Sequence, residues 1–259
     1  METFQLKIRD RLAMIALDRG RSNPINHQMV KELTSCIRNL DADDTNVGGL
    51  LLTGKEGFFS SGIDLIEAYE YDEAQSREFW VDFLELQKVL ASFKKPMVAA
   101  ISGHSPAGGC VMAICCDYRV MAEGKFVIGL NEIPVGIIVP DGIFDLYAFW
   151  LGKRKAYQYL MEGKLLNGNE ALDAGLIDEL SAADSLLSTA EKKIRTYMQF
   201  SAATWSQSKL NLRKELITKL NSDQSDTLNK MLNQWWAPAT RKGLQMMVEN
   251  LKSKSTTAK

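Results

Sequence analysis

Histidine and cysteine are scarce in this 259-residue chain, which has two of the former and four of the latter. With His27 and His104 as the only histidines, a histidine-based zinc site is nearly excluded. The cysteines lack the paired spacing of a metal site, and in an intracellular protein we expect them to be reduced and buried. They are Cys36, Cys110, Cys115 and Cys116. No bound metal is therefore expected.

Long hydrophobic runs are also absent. The apolar stretches at 97–101 and 135–139 fall far short of the roughly 20 residues that a membrane-spanning helix needs, so no membrane association is expected. Neither end of the chain resembles a targeting leader or a retention signal, and we expect a cytoplasmic protein. Hydrophobic residues make up 46% of the chain and charged residues 24%, which argues against disorder and favours a globular protein.

The net charge of −1 at pH 7 gives the chain no general affinity for nucleic acid, and no such partner is expected. The charge is unevenly distributed, because residues 201–259 hold ten lysine or arginine residues and four acidic ones. Such a basic segment is either the solvated face of a helix or a source of contacts with the phosphates of a ligand.

Apolar patterning predicts an α/β core followed by helices. Strands are predicted over 4–8, 12–17, 47–52, 97–101, 117–122 and 126–129, and helices near 29–40 and over 72–93. Residues 103–109 are predicted to be a loop of small residues that leads into an apolar helix. We predict a core over 1–200 and a helical C-terminal region over 201–259 within one domain.

Three short segments could combine into a catalytic site. Gly62 would let a backbone N–H point into a cavity, and Gly108 and Gly109 precede an apolar helix whose first N–H groups lack intrahelical acceptors. Two such donors can bind an oxyanion. Glu132 lies among apolar neighbours, so its pKa is expected to be raised toward working pH. Each signal alone also has an ordinary structural explanation, such as loop geometry for the glycines or an ion pair for Glu132.

Taken together and in order, these segments resemble the crotonase (enoyl-CoA hydratase/isomerase) superfamily over about residues 5–180. The resemblance rests on the segments FSSGIDL at 59–65, KPMVAAISG at 95–103, PAGGC at 106–110 with CDYR at 116–119, and IGLNE at 128–132 with GII at 136–138. The last of these especially resembles the Δ3,Δ2-enoyl-CoA isomerase branch.

The resemblance implies a spiral of repeated ββα units, with C-terminal helices used for trimerisation and hence a homotrimer or a dimer of trimers. It implies an acyl-CoA thioester as the substrate, so that coenzyme A is part of the substrate and no separate cofactor is needed. The backbone N–H groups of Ile63 and Gly108 would hold the thioester oxygen, and Glu132 would transfer the proton.

Further positions are implied for the CoA part of the substrate. Ser61, Asp64 and Leu65 would border the adenine or the pantetheine. A CoA phosphate would meet Arg19 or Arg21, or a C-terminal lysine from a neighbouring subunit.

For the acyl tail, which we expect to be of medium length or longer, the candidates lie on the helix predicted over 72–93. Trp80 and Leu84 form a second stripe and are predicted to line the tail's path, whereas Phe79 and Phe83 are interpreted as plain helix core. Asn131 either orients the neighbouring glutamate or turns the chain.

One missing carboxylate favours isomerisation over hydration. Hydratases of the superfamily use two glutamates to position and activate water, and the matching positions here are Val111 and Glu132. Valine cannot bind a water molecule by a hydrogen bond, whereas one base suffices to move a proton from C2 to C4. The alternatives are another crotonase reaction (hydration, thioester hydrolysis or decarboxylation) or a noncatalytic scaffold, including an RNA-binding one.

Asp141 is a further candidate acid or base. It lies one residue beyond the position at which related dienoyl-CoA isomerases carry an aspartate. The preferred interpretation is that it caps a helix beginning near Gly142.

Overall fold

The computed structural model describes residues 1–257, of which 254–257 are described by their backbone alone. The strands are β1 (Phe4–Arg9), β2 (Leu12–Leu17), β3 (Gly49–Thr53), β4 (Gly57–Phe58), β5 (Met97–Ile101), β6 (Gly103–Pro106), β7 (Tyr118–Ala122), β8 (Val127–Gly129), β9 (Leu166–Asn167) and β10 (Glu179–Ser181). The helices are α1 (His27–Ala42), α2 (Leu65–Glu70), α3 (Glu73–Ser92), α4 (Gly108–Cys115), α5 (Asp141–Leu151), α6 (Lys153–Glu162), α7 (Gly168–Ala174), α8 (Leu186–Met198), α9 (Ala202–Leu212), α10 (Lys214–Leu220), α11 (Ser225–Trp236) and α12 (Pro238–Thr257). A short 3₁₀ turn covers Ile133–Val135.

The strands form two sheets, and in each sheet neighbouring strands follow the order of the chain. The larger sheet has the order β1-β2-β3-β5-β7-β10 and the smaller one the order β4-β6-β8-β9. Each of the pairs β3–β4, β5–β6 and β7–β8 contributes its first strand to the larger sheet and its second to the smaller, and each pair is followed by helix. This is a spiral of ββα units, so the predicted α/β class and repeated architecture are confirmed.

Apolar residues of the central strands and of one helix face are buried and form the core. Every residue of β3 and of β5 is buried, as expected for central parallel strands covered on both faces. The predicted apolar face of α1 is buried, and Asn26 caps the helix by accepting a hydrogen bond from the Met29 N–H. A capping box formed by Asp72 and Gln75 begins α3, the helix that passes over the cavity described below.

The loop predicted over 103–109 is wrong in its first half, because Gly103–Pro106 forms β6 between β4 and β8. A Cβ atom on Gly103 would overlap the backbone of Gly57 in the neighbouring strand. Only glycine permits this approach, and the segment Gly103–Pro106 has no β-branched residue, so it does not show the pattern by which strands are recognised in a sequence.

The C-terminal helices are tied to the core by buried charges. Asp117, the residue before β7, pairs with Lys209 at 2.7 Å and with Arg213 at 3.0 Å. The C-terminal region is helical, as predicted, although residues 258 and 259 of the predicted segment lie outside the described residues. The division at residue 200 stays a prediction.

Two expectations about residue types can be compared with the structure. All four cysteines are buried and free, as predicted. Within residues 1–257, no helix is both long and apolar enough to cross a membrane.

Candidate active site

The loop that follows β4 turns the backbone N–H of Ile63 away from its neighbouring segment. The Ile25 N–H donates to the Gly62 carbonyl at 2.8 Å, and the Asp64 N–H donates to the Ile25 carbonyl at 2.9 Å. In a parallel pairing of this kind, the central residue directs its own N–H away from its partner. Within the described residues, the Ile63 N–H donates to no protein acceptor.

The second loop places Gly108 beside the first. Ala107 has a positive φ of 48°, which is rare for a residue with a side chain, and its N–H donates to the Gly129 carbonyl at 2.8 Å. Gly108 then begins α4, so its N–H has no acceptor within the helix. A Cβ atom on Gly62 would stand 3.3 Å from the Gly108 nitrogen. The two loops therefore meet, and they bring together the N–H groups of Ile63 and Gly108, for which the described part of the chain provides no acceptor.

Glu132 supplies the only carboxylate of the adjoining cavity among the described residues. Its side chain is 6% exposed, and burial raises its pKa to about 7, as its apolar sequence neighbours indicated. Its backbone is held in place, since the Glu132 carbonyl accepts from Val135 at 3.1 Å and from Ile137 at 3.0 Å. A buried carboxylate of this pKa can both accept and return a proton near neutral pH.

These groups surround a cavity of about 110 Å³. Seven of the nine predicted site residues line it, namely Ser61, Ile63, Leu65, Trp80, Gly108, Asn131 and Glu132. The other lining residues are Phe83, Pro106, Ala107, Val111, Val135, Ile137, Pro140 and Ile143. The cavity is thus mostly apolar, with one carboxylate and two backbone donors.

Asp64 is not among the residues that line the cavity. Its carboxylate caps α2 by accepting from the N–H groups of Ile66 and Glu67, and it pairs with Arg19 at 2.6 Å. Arg19 also pairs with Glu67 at 2.9 Å, so both ends of this ion pair support the loop rather than a ligand. Arg21, the other arginine suggested for a CoA phosphate, is exposed.

The aromatic side of the cavity differs from the prediction. Phe83, which was interpreted as plain core, lines the cavity together with Trp80, whereas Leu84 is buried elsewhere. Positions three and four residues from Trp80 both share its helix face, so the sequence alone left either possible. The rotation of α3 against its neighbours decides between them. Other lining residues that the sequence had not indicated come from the 3₁₀ turn and from α5.

Val111 faces the cavity from α4, one turn after Gly108, and offers no hydrogen bond there. Asp141 does not line the cavity; it is exposed and accepts a hydrogen bond from the Thr227 hydroxyl at 2.9 Å. The prediction that it caps a helix beginning near Gly142 is wrong, because α5 begins at Asp141 itself and Pro140 occupies the cap position.

One group of side chains away from the cavity has the composition of a cation site. His27, Glu78 and Asp82 bring ligand atoms within 4.8 Å of one another. The group lies where α1 faces α3, and its members already have partners: His27 bonds Asp82 at 2.6 Å, and Glu78 pairs with Lys31 at 2.8 Å. The absence of a metal stays a prediction.

Comparison with known proteins agrees with this geometry. Residues 7–257 match the sequence pattern of a family described as enoyl-CoA hydratase/isomerase. The chain belongs to the enoyl-CoA hydratase/isomerase family. The predicted resemblance to the crotonase superfamily is thereby confirmed, and the chain is an enzyme of this family.

Individual family members of two kinds are similar to this chain. The mouse mitochondrial enoyl-CoA delta isomerase 1 is 33% identical over an alignment of 246 residues, and the alignment covers 93% of this chain and 85% of the mouse protein. A probable enoyl-CoA hydratase of Mycobacterium tuberculosis is 32% identical over 204 residues, covering 78% of this chain and 77% of that protein. Isomerases and hydratases are therefore both represented at similar identity.

Among solved structures, human mitochondrial Δ3,Δ2-enoyl-CoA isomerase superposes with a TM-score of 0.92 at 28% identity, covering 97% of this chain and 99% of the human one. The enoyl-CoA hydratase EchA3 of Mycobacterium marinum gives a TM-score of 0.80 at 27% identity and covers 89% of this chain. The similarity to the isomerase thus extends over more of the chain.

Proposed function

We propose that this chain is a Δ3,Δ2-enoyl-CoA isomerase, which moves the double bond of a 3-enoyl-CoA to the 2-trans position. One observation carries the proposal: among the described residues that line the cavity, Glu132 is the sole carboxylate, and Val111 stands one helical turn beyond Gly108, where a hydratase of the family would carry its other glutamate. A cavity with one acid/base group suits a reaction that moves one proton and adds no water.

The proposed reaction uses the N–H donors of the two loops and the carboxylate of Glu132. The N–H groups of Ile63 and Gly108 bind the thioester oxygen and stabilise the negative charge that develops on it. The Glu132 carboxylate takes a proton from C2, and the electron pair of that C–H bond spreads over the dienolate. The protonated Glu132 then returns the proton at C4, and the double bond closes between C2 and C3.

The raised pKa of Glu132 suits both halves of this cycle. A carboxyl group with a pKa of about 7 is partly ionised at neutral pH, and it is a stronger base than an exposed glutamate. The apolar lining keeps water from the dienolate and strengthens the hydrogen bonds to its oxygen.

The decisive experiment is incubation of the pure protein with 3-enoyl-CoA substrates of several chain lengths, following formation of the conjugated 2-enoyl thioester. Wild type should convert the substrate, and Glu132→Gln should lose about a hundred- to ten-thousandfold in kcat. Glu123→Gln, at an exposed position, is the matched control. Failure of wild type to convert any chain length would refute the isomerase proposal.

Product mass separates this reaction from hydration, which the similarity to probable hydratases makes the main competing activity. Isomerisation leaves the mass of the thioester unchanged, whereas hydration adds one water molecule. A 3-hydroxyacyl-CoA as the principal product would favour the hydratase alternative.

The substrate contacts follow from the cavity lining. Ser61 and Leu65 would meet the CoA part, whereas Trp80 and Phe83 would meet the acyl part. Coenzyme A enters with the substrate, and the proposed reaction uses no further cofactor. The expected cytoplasmic location stays a prediction, and the similar mouse, rat and human isomerases are named as mitochondrial.

We also propose that the chain assembles as a homotrimer or a dimer of trimers through its C-terminal helices. An aromatic groove of about 590 Å³ supports this proposal. It lies between α5 and α9, and three of its lining side chains are large, apolar and exposed: Phe149 at 40%, Phe200 at 55% and Leu212 at 80%. Exposed apolar surface of this kind marks association sites.

A further inference from the structure

Among the described residues, two buried polar atoms in the region of the cavity have no hydrogen-bond partner, one on a lining side chain and one on a side chain that does not line the cavity. One is Oε2 of Glu132, and the other is the hydroxyl oxygen of Tyr147, a side chain that is 0% exposed. Within the described residues, neither atom has a protein partner. Leaving a buried polar group unpaired costs about 1–3 kcal/mol, so native proteins rarely tolerate two in the same region.

The course of α5 directs Tyr147 toward the site. Pro140 and Ile143, at the start of the helix, line the cavity, and Tyr147 lies one turn beyond Ile143 on the same helix face. Long side chains in a helix lean back toward its N-terminus. The Tyr147 ring therefore extends from its backbone toward the turn that forms the cavity wall.

The influence of the Glu132 charge on the Tyr147 phenol agrees with the two side chains being neighbours. Burial raises the pKa of the Tyr147 phenol, and the charges of Cys110 and Glu132 raise it further. Burial also raises the pKa of the Cys110 thiol, with the Glu132 charge as the next cause. Cys110 lies on α4 and Tyr159 on α6, and a charge on either would raise the pKa of the Tyr147 phenol. The phenol thus stays neutral and keeps its proton over the physiological pH range.

A water molecule is the natural link between the two oxygens. Buried water occupies polar sites with two to four partners, and a phenol donor beside a carboxylate acceptor provides two. The hydroxyl would donate to the water, and the water would donate to Oε2. A hydrogen bond to the ionised form of a carboxyl group favours that form.

We propose that Tyr147 is a positioning residue for Glu132, which its hydroxyl holds in the ionised, base form through one buried water molecule. Tyr147 does not line the cavity and would not touch the substrate. Its effect on catalysis rests on the proposed isomerase function, whereas the link to the carboxyl group exists in the free protein and does not depend on that function.

The test measures the Glu132 carboxyl group directly in ligand-free protein. Its carbon resonance is assigned by its disappearance in Glu132→Gln and titrated by NMR in wild type and in Tyr147→Phe, which keeps the ring and removes the hydroxyl. Loss of the donor should raise the pKa of Glu132 by about one unit. Tyr157→Phe, at an exposed position on α6, is the matched control and should leave it unchanged.

The same variant has a kinetic readout. If isomerase activity is found, the acidic limb of the kcat/KM profile of Tyr147→Phe should move to higher pH by the same amount. Activity well below the pKa would then fall about tenfold, with little change well above it. If Tyr147 had only a packing role, Tyr147→Phe would change neither the pKa of Glu132 nor the acidic limb of the kcat/KM profile.

Each outcome decides between the link and a merely structural tyrosine. Equal Glu132 pKa values in wild type and Tyr147→Phe would overturn the proposal. A raised pKa in Tyr147→Phe, in a protein without isomerase activity, would support the link and refute the proposed function separately. Should Tyr147→Phe fold poorly, Tyr147→Met offers a second variant that has no hydrogen-bond donor and no larger volume, judged by the same titration.

Discussion

Arg19 Nη1 lies 2.6 Å from Oδ2 of Asp64, the residue that follows the proposed oxyanion donor Ile63. The same guanidinium group donates to the Pro24 carbonyl at 3.0 Å and pairs with Glu67 at 2.9 Å. One side chain therefore joins the start of α2, the Ile25 segment and the donor loop. Catalysis by backbone N–H groups requires such support, because the donors cannot be adjusted by side-chain rotation.

Replacing Arg19 with methionine should lower kcat/KM strongly, whereas the free energy of unfolding should fall only slightly. Because the ion pairs are partly exposed, their loss should cost only about 1 kcal/mol of unfolding free energy. A small displacement of the Ile63 N–H, by contrast, can reduce the rate up to about a hundredfold. Arg38→Met, which removes an exposed pair with Glu85, is the control for a lost surface charge. Equal kinetics for the two variants would contradict this role.

Glu132→Gln should be more stable than wild type at alkaline pH. Because burial raises the pKa of Glu132 from 4.5 to about 7, the folded state binds a proton between these values that the unfolded state has released. The group's contribution to stability is therefore fully present below pH 4.5 and is lost as pH rises through 7. At pH 8 the variant should gain about 3 kcal/mol over wild type, and at pH 4 the advantage should disappear.

Denaturant unfolding at pH 4, 6 and 8 measures this difference, with the exposed Glu123→Gln as the control. A difference that does not change with pH would show that the carboxyl group is not desolvated in the folded protein. The gain in stability should accompany the loss of activity, since the same buried charge serves the proposed reaction.

Trp80→Leu should widen the acyl preference toward longer chains, because Trp80 is one of the large side chains that wall the cavity. The ratio of kcat/KM between a longer and a shorter 3-enoyl-CoA should rise about tenfold. Leu84→Val is the control, since Leu84 lies on the same helix but does not line the cavity. A matching change of preference in both variants would indicate a general loosening of α3 rather than a specific wall.

Leu212→Asp should dissociate the proposed trimer, because a charge in the lining of the aromatic groove would be buried without a partner when the subunits associate. Sedimentation velocity should show trimer or hexamer for wild type and monomer for the variant. Leu187→Asp, an exposed leucine on α8 outside the groove, should keep the wild-type mass. A monomeric wild type would refute the proposed assembly.

Local patterns in the sequence determined the secondary-structure elements and the types of residue at the candidate site. Apolar periodicity over a few turns predicted helices near 29–40 and over 72–93, and the structure has α1 and α3 there. The family resemblance likewise depends on short ordered segments. The sequence therefore predicted Glu132, Ile63 and Gly108 as parts of one site, and all three line the same cavity.

Tertiary structure decided what short patterns leave open. The choice between Phe83 and Leu84 depends on the rotation of α3 against other helices, and the strand at Gly103–Pro106 depends on contact with Gly57. The pairing of Asp64 with Arg19 joins residues far apart in the chain. Each is a long-range contact, and such contacts are set by packing of the whole chain, which no local pattern encodes.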